Sequence, residues 1–217
     1  IHYQEALTRF EQLNDDTNIA DVLFGFGLAL KNQKKFEDAI SYFTKSRDLY
    51  EKLERKTDIA HLWRHLGYTY SDWERNDEAI THYQEALRRY EALHDDANVA
   101  NMYDWLGFEF REIGQYQKSV EHLTHYKEFA EKLEKPNDIA RAWHLLGISY
   151  RFWGKYEIAL THYQEALARF VALDDKANQA NVISRIGWTY REQECYQKAL
   201  AQFAESYRMY AELQQHK

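Results

Sequence analysis

Apolar and small residues return at a fixed interval along the whole chain. Glycine, alanine and leucine each form a row that repeats every 40 residues without an insertion. The rows are Gly27, Gly67, Gly107, Gly147 and Gly187; Ala20, Ala60, Ala100, Ala140 and Ala180; and Leu13, Leu53, Leu93, Leu133, Leu173 and Leu213. A fixed period of this length inside one chain is the signature of stacked structural repeats.

Each period contains two apolar patterns with helical spacing. Trp143, Leu146 and Tyr150 lie three and four residues apart, which places them on one face of a predicted helix A. Ala159 and Tyr163 begin a similar pattern that predicts a second helix, B. A glycine in the middle of helix A costs about 1 kcal/mol of helix propensity, so we expect a neighbouring backbone to approach closely there. Each period is therefore a helix hairpin that must stack on its neighbours to bury its apolar face.

A row of Asn and Asp residues precedes helix A in every period. An Asn or Asp side chain at this point accepts a hydrogen bond from a free N–H group of the first turn, so the row predicts the N-cap of each A helix. The row consists of Asn18, Asp58, Asn98, Asp138 and Asn178.

The repeat resembles the tetratricopeptide repeat family. The signature positions in residues 140–166 are Ala140, Trp143, Leu146, Gly147, Tyr150, Tyr156, Ala159, Tyr163 and Ala166. The 40-residue spacing is similar to the subclass found in LGN/Pins-type scaffolds, and in repeats associated with bacterial signalling ATPases and kinesin light chains. The resemblance implies an all-α fold, a right-handed α-solenoid of stacked antiparallel helix hairpins with about eleven helices.

The period sets the predicted boundaries. Residues 1–18 correspond to the B helix of a truncated leading repeat, because residues 1–7 match residues 81–87. Five repeats follow, at 19–58, 59–98, 99–138, 139–178 and 179–217. Neither end carries a distinct polar capping unit, so we interpret the chain as one continuous solenoid domain and a fragment of a longer protein, with self-association through uncapped ends as one consequence.

Composition and charge exclude several classes of protein. The formal net charge is −7, whereas a general nucleic-acid binder needs a basic surface. The same charge argues against attraction to a membrane surface, and no apolar run approaches the roughly 18 to 20 residues of a membrane span. A single Cys excludes a disulfide framework and fits the reducing cytoplasm. No phosphate loop, nucleophile motif or metal-ligand cluster stands out, so we predict no enzyme activity, no cofactor and no metal site.

The resemblance places a binding groove on the face formed by the A helices. We expect this groove to hold a peptide or helix of a partner protein. Its predicted residues are Lys31, Arg64, Tyr68, Phe108, Arg111, Arg141, His144, Arg151, Trp188 and Arg191. The family's clamp for the C-termini of chaperones needs a Lys followed by an Asn one turn later. In this chain Arg64 is followed by Tyr68 at these positions, so the clamp is not reproduced.

Four predicted groove residues form a row of cations, which we call the cationic ladder: Lys31, Arg111, Arg151 and Arg191. The role of the cationic ladder has two interpretations. It attracts an acidic segment of the partner, or nearby carboxylates neutralise it through surface ion pairs worth about 0 to 1 kcal/mol each. The carboxylates available for the second interpretation are those of Asp72, Asp104, Glu112 and Glu192.

The leading functional hypothesis is a non-enzymatic scaffold for protein–protein interaction. The alternative is a sensor or regulatory arm of a larger bacterial signalling or defence protein, with an ATPase or protease elsewhere in the parent chain. A nucleotide-binding loop or protease motif next to this region in the full gene distinguishes the two.

Overall fold

The computed structural model describes residues 2–215, and this range contains eleven α-helices and no strand. The helices are α1 His2–Gln12, α2 Asp16–Asn32, α3 Phe36–Lys52, α4 Lys56–Asp72, α5 Asn76–Ala92, α6 Asp96–Glu112, α7 Tyr116–Lys132, α8 Pro136–Phe152, α9 Tyr156–Ala172, α10 Lys176–Glu192 and α11 Tyr196–Gln215. The even-numbered helices are the predicted A helices and the odd-numbered ones the B helices. The prediction of an all-α helical repeat is confirmed. Ile1 and residues 216–217, which the predicted boundaries include, lie outside the described residues.

Short turns of one type join the helices. Between α2 and α3 the residue Lys34 adopts a left-handed conformation with φ 59°, and the Lys35 N–H donates to the Leu30 carbonyl at 3.0 Å. This is the Schellman geometry that ends a helix and satisfies its last carbonyl groups. The equivalent residue is a glycine only at Gly114 and Gly154, with φ 75° and 74°. The other turns hold a residue with a side chain in this strained conformation.

The N-caps lie three residues earlier than the Asn/Asp row predicts. Asp175 caps α10, and its carboxylate accepts hydrogen bonds from the Asn178 backbone N–H at 3.0 Å and from its side-chain amide at 2.7 Å. The row therefore occupies the third position of each A helix. In α8 the N-cap is Lys135, which makes no side-chain cap bond. The predicted cap position is wrong because acidic and basic residues alternate at the true one, so no single residue type marks it.

The glycine row packs against side chains of helix B and not, as predicted, against a neighbouring backbone. A Cβ atom added at Gly147 would lie 2.6 Å from two ring carbons of Tyr163, and one at Gly67 would lie 2.4 Å from the ring of Tyr83. The close approach is therefore made by an aromatic ring of helix B and not by its backbone.

The chain divides into two compact units between Glu109 and Phe110, within α6. We call them the first unit and the second unit. In the first unit Phe43, Leu62 and Leu66 belong to one core cluster, in which α4 packs on α3. In the second unit Tyr163, Val182 and Ile186 belong to the equivalent cluster, in which α10 packs on α9. Each A helix in these clusters therefore covers the B helix that precedes it.

Candidate functional site

All ten predicted groove residues lie on A helices. In the first unit, Lys31 is on α2, Arg64 and Tyr68 are on α4, and Phe108 is on α6. The second unit holds the other six, at Arg111, Arg141, His144, Arg151, Trp188 and Arg191.

Tyr68 is the centre of an aromatic and cationic surface in the first unit. Its ring centroid lies 4.9 Å from that of Trp105 in an edge-on arrangement, and Trp105 lies 6.1 Å from Phe108. The Lys31 ammonium lies 5.8 Å from the Tyr68 centroid, and the Arg64 guanidinium 5.9 Å from it. At these distances a cation is attracted by the ring. Lys31 and Arg64 therefore lie beside the Tyr68 ring, and Trp105 connects Tyr68 to Phe108.

Trp105 is a surface-forming residue that the sequence pattern missed. Its equivalents in the other repeats are Gly25, His65, Leu145 and Arg185, which share no chemical character. A row without a common residue type gives no repeat signal, so only the packing shows that this position faces the preceding hairpin.

Arg64 is half-buried and has no carboxylate partner among the described residues. Its Nη1 donates to the side-chain oxygen of Asn98 at 2.6 Å, and its guanidinium lies 6.0 Å from the centroid of Tyr90. Its Nε is buried without a hydrogen bond within residues 2–215. The positive charge of Arg64 also helps to lower the pKa of Asp95, but the two side chains form no ion pair. A partly desolvated cation whose close contacts are an amide and two rings is well suited to accept an anionic group from a ligand.

Where α2, α3 and α4 meet in the first unit, the charged side chains pair with one another. Arg55 donates to Asp21 at 2.9 Å and to Asp58 at 2.7 Å, and the Tyr50 hydroxyl donates to Asp21 at 2.8 Å. Burial, together with Asp21, raises the pKa of Tyr50, which keeps its hydroxyl protonated as a donor. The Arg55 cation of this network is thus neutralised by two carboxylates of its own chain.

Three of the four ladder cations are paired with the carboxylates that the second interpretation names. Lys31 lies 2.8 Å from Asp72 in the first unit. In the second unit Arg111 lies 3.1 Å from Glu112, and Arg151 lies 2.5 Å from Glu192.

Arg191 differs from the rest of the ladder. It stacks on the exposed Trp188 with 4.5 Å between its guanidinium and the ring centroid, and it forms no ion pair within residues 2–215. The ion pairs neutralise Lys31, Arg111 and Arg151, and the role of the ladder in partner binding stays a prediction.

His144 is buried in the second unit rather than open to a groove. Only 8% of the residue is exposed, and its Nε2 has no hydrogen-bond partner in the described part of the chain. Burial, followed by the positive charges of Arg185, Arg141 and Arg111, lowers the pKa of His144 to about 4. The imidazole is therefore neutral at physiological pH. It lines a cavity of about 390 Å³ with the exposed Arg141, whose guanidinium donates to the Tyr126 hydroxyl at 3.4 Å.

No group of three His, Cys, Asp or Glu side chains is arranged to hold a metal ion within residues 2–215. In the same range, none of the helices combines the length and the apolar character that crossing a membrane requires.

Sequence models establish the family. A tetratricopeptide repeat model matches residues 58–132 and 138–212, and a second one matches residues 20–53. The chain belongs to the tetratricopeptide repeat family. The predicted 40-residue subclass is not distinguished by these matches and stays a prediction. No curated protein sequence matches the chain significantly.

Solved structures share the fold at low sequence identity. BtubC (BKLC) from P. vanneervenii is 18% identical with a TM-score of 0.82, over 98% of this chain and 90% of that one. A Rap protein complexed with competence and sporulation factor is 18% identical with a TM-score of 0.70, over 95% of this chain and 58% of that one. TPR-like repeats of a putative kinesin light chain from Podosopora anserina are 13% identical with a TM-score of 0.76, over 89% of this chain and 95% of theirs. At such identities the likeness establishes the fold alone.

Proposed function

We propose that this chain is a non-catalytic scaffold that holds a peptide or helix of a partner protein against its A helices. The observation that carries the proposal is the surface around Tyr68, where rings and cations lie side by side on one face. Such a surface suits a segment that offers apolar side chains and carboxylates together. Membership of a family whose fold generally serves protein interaction supports the same conclusion.

Within this proposal, the acidic groups of the partner bind where a cation forms no ion pair with a carboxylate of the described chain. Arg64 is the best-placed cation of the first unit, because Lys31 is already paired with Asp72. In the second unit Arg191 has the same property, whereas Arg151 is paired with Glu192. An ion pair with a ligand carboxylate on this open surface contributes modestly and weakens with salt.

Peptide selection tests the scaffold proposal while the partner protein is still unidentified. A display library of random peptides is selected on the whole chain, and the enriched peptides are titrated against the chain at low and high salt. We expect enrichment of peptides with aromatic and acidic residues. Arg64→Gln should weaken binding about three- to tenfold at low salt and less at high salt. The matched control is Arg88→Gln, since Arg88 is an exposed arginine on the B helix α5.

Two results would contradict the proposal. One is the absence of any selected peptide. The other is equal loss of affinity in the Arg64 and Arg88 variants, which would show a general charge effect rather than a binding surface around Tyr68.

The second candidate function is a sensor or regulatory arm of a larger bacterial signalling protein. It is favoured by the similarity to the Rap protein complexed with competence and sporulation factor, of which this chain spans 58%. The sequence of the full gene tests this function. A catalytic domain encoded next to residues 1–217 supports the regulatory arm, and a gene of repeats alone supports the scaffold. A cytoplasmic location belongs to both proposals.

A further inference from the structure

The cavity of about 390 Å³ in the second unit is rich in hydrogen-bond acceptors. Side chains that can accept a hydrogen bond line much of it, and they belong to Asp138, His144, Asp175 and Asn178. The ring of Phe170 also lines the cavity. All of the lining residues belong to α8, to α9 or to the start of α10, so the cavity lies inside the second unit.

The equivalent place in the first unit holds an arginine of the chain itself. The Arg64 guanidinium donates to the side-chain oxygen of Asn98 at 2.6 Å and lies 6.0 Å from the ring centroid of Tyr90. Asn98 and Tyr90 are the equivalents, 80 residues earlier, of Asn178 and Phe170. In the first unit the guanidinium thus occupies the space that the second unit leaves as a cavity.

A histidine replaces this arginine in the second unit. His144 is the equivalent of Arg64, and its shorter side chain leaves the space open. Although only 8% of His144 is exposed, its Nε2 has no hydrogen-bond partner within residues 2–215. A buried polar atom without a partner costs free energy, which a donor from a ligand in the cavity would recover. A donor beside Nε2 selects the neutral tautomer in which this nitrogen accepts.

The amide of Asn178 is held in the orientation that receives a guanidinium. Its Nδ2 donates to Asp175 at 2.7 Å, which leaves its Oδ1 for another donor. Asn98 is fixed in the same way by Asp95, also at 2.7 Å, and its Oδ1 accepts from Arg64. The Asn178 Oδ1 accepts no hydrogen bond in the described part of the chain. The second unit therefore keeps the acceptor of the first unit without its arginine.

The charges of the lining favour a cation. Asp138 forms no ion pair within residues 2–215, whereas its equivalent Asp58 is paired with Arg55 at 2.7 Å. Asp175 adds a second carboxylate, and Arg141 is the single cation of the lining. Two carboxylates and one guanidinium leave the cavity one positive charge short of neutrality.

The arginines near His144 reduce the strength of this site. Arg141 donates to the Tyr126 hydroxyl at 3.4 Å, which carries its charge towards α7. Burial, followed by the charges of Arg185, Arg141 and Arg111, lowers the pKa of His144, so the imidazole adds no positive charge of its own. The two carboxylates of the lining oppose the repulsion from these arginines, and we expect weak binding as the result.

We propose that the cavity between α8 and α10 binds the guanidinium group of an arginine side chain. The His144 Nε2, the Asn178 Oδ1 and the Asp138 carboxylate accept its N–H groups, and the Phe170 ring packs on its face. A guanidinium suits this lining because it presents five donors in one plane. The cavity shares no residue with the surface around Tyr68, so the proposal stands independently of the scaffold proposal.

Nuclear magnetic resonance of the whole chain, titrated with N-acetyl-arginine amide, tests the proposal. This probe carries a guanidinium on a neutral backbone, and the backbone amide signals of the lining residues report its binding. We expect saturable shifts with a dissociation constant on the order of 1 mM, as for a small ligand that makes few contacts. The citrulline counterpart of the probe has nearly the same shape without the charge and should bind at least tenfold more weakly.

His144→Arg supplies the arginine that the first unit has. Its guanidinium should fill the cavity as Arg64 does, so the affinity for the probe should fall at least tenfold. The free energy of unfolding should stay the same or rise. The matched control His144→Gln leaves the cavity open and keeps an acceptor, so it should change the affinity less than threefold.

The carboxylate contribution is tested by Asp138→Asn. This variant should weaken binding of the probe three- to tenfold at low salt and less at high salt. Its matched control is Asp174→Asn, which removes the same charge from a side chain that is 86% exposed and lies outside the lining. The control should change the affinity less than twofold.

Free arginine distinguishes the two sources of the guanidinium. Tighter binding of free arginine than of the amide probe assigns the cavity to the amino acid itself. Equal or weaker binding of free arginine assigns it to an arginine side chain within a segment of a partner protein.

Three results would overturn the proposal. They are unchanged signals of the lining residues at about 20 mM probe, equal binding of the citrulline counterpart, and equal affinities of the His144→Arg and His144→Gln chains. Binding of N-acetyl-glutamate amide in preference to the arginine probe would overturn it as well and assign the cavity to an anion. Arg64→Gln should not affect binding of the arginine probe, so failure here is distinguishable from failure of the scaffold proposal.

Discussion

Replacing Gly147 by alanine tests how closely helices A and B approach. The added Cβ would lie 2.6 Å from the Cδ1 and Cε1 atoms of Tyr163, whereas carbon atoms in contact are normally about 3.5 to 4.0 Å apart. Tyr163 is fully buried, so its ring must move by about 1 Å within a packed core. Overpacking of this kind costs about 1 to 3 kcal/mol, and alanine regains about 1 kcal/mol of helix propensity. We expect a net destabilisation of about 0 to 2 kcal/mol.

Gly147→Ala should stabilise the chain, and no longer destabilise it, when the ring of Tyr163 is removed. Leucine occupies the position of Tyr163 in the preceding repeat, as Leu123, so Tyr163→Leu should be tolerated. With this shorter, flexible side chain the clash is relieved, and Gly147→Ala should stabilise the chain by up to about 1 kcal/mol. The coupling free energy between the two substitutions is then about 1 to 3 kcal/mol.

Urea unfolding followed by far-ultraviolet circular dichroism measures all four variants of this cycle. Gly154→Ala is the control, because Gly154 has φ 74° and no atom within 4 Å of an added Cβ. Its cost of about 1 kcal/mol is a backbone effect and should be the same with tyrosine or leucine at position 163. If Gly147→Ala stabilises the chain equally in both backgrounds, the ring does not explain the glycine row.

Three further predictions concern a turn, a cap and a buried histidine. Glu74→Gly should raise the unfolding free energy by up to about 1 kcal/mol, because Glu74 has φ 61°. Asp175→Ala should lower it by about 1 kcal/mol, through loss of the cap bonds to the start of α10. The pKa of His144 is lowered to about 4 in the folded chain, whereas its value in the unfolded chain is about 6.5. Between pH 6.5 and pH 4, the unfolded chain therefore binds a proton at this imidazole that the folded chain does not bind. Stability should therefore fall by up to about 3 kcal/mol as pH drops from 6.5 to 4, and less in His144→Gln.

Urea unfolding at fixed pH checks the first two variants, and a pH series checks the third. Lys135→Ala is the control for the cap, because Lys135 makes no side-chain cap bond and its loss should change stability little. The cap prediction is contradicted if Asp175→Ala stabilises the chain, and the turn prediction if Glu74→Gly destabilises it. The histidine prediction is contradicted if stability depends on pH in the same way with and without His144.

The 40-residue period by itself determined the helices and their apolar faces. Rows of one residue type, such as the glycine row and the Ala140 row, recur because each copy meets the same neighbour in the stack. These rows led directly to the A and B helices and to the predicted groove positions on the A helices. They also led to the ladder and to the carboxylates available to pair with it. Local spacing is sufficient for such features, because a helix places residues three and four apart on one face.

Only the tertiary structure decided which side chains meet across the hairpins. Trp105 covers Tyr68 although its position has no common residue type, and Lys31 of α2 is linked to Asp72 at the end of α4. It also placed the true N-cap at Asp175. The physical reason is that burial and ion pairing depend on which helix packs next in space, and a repeat pattern records what every copy shares but not where one copy differs.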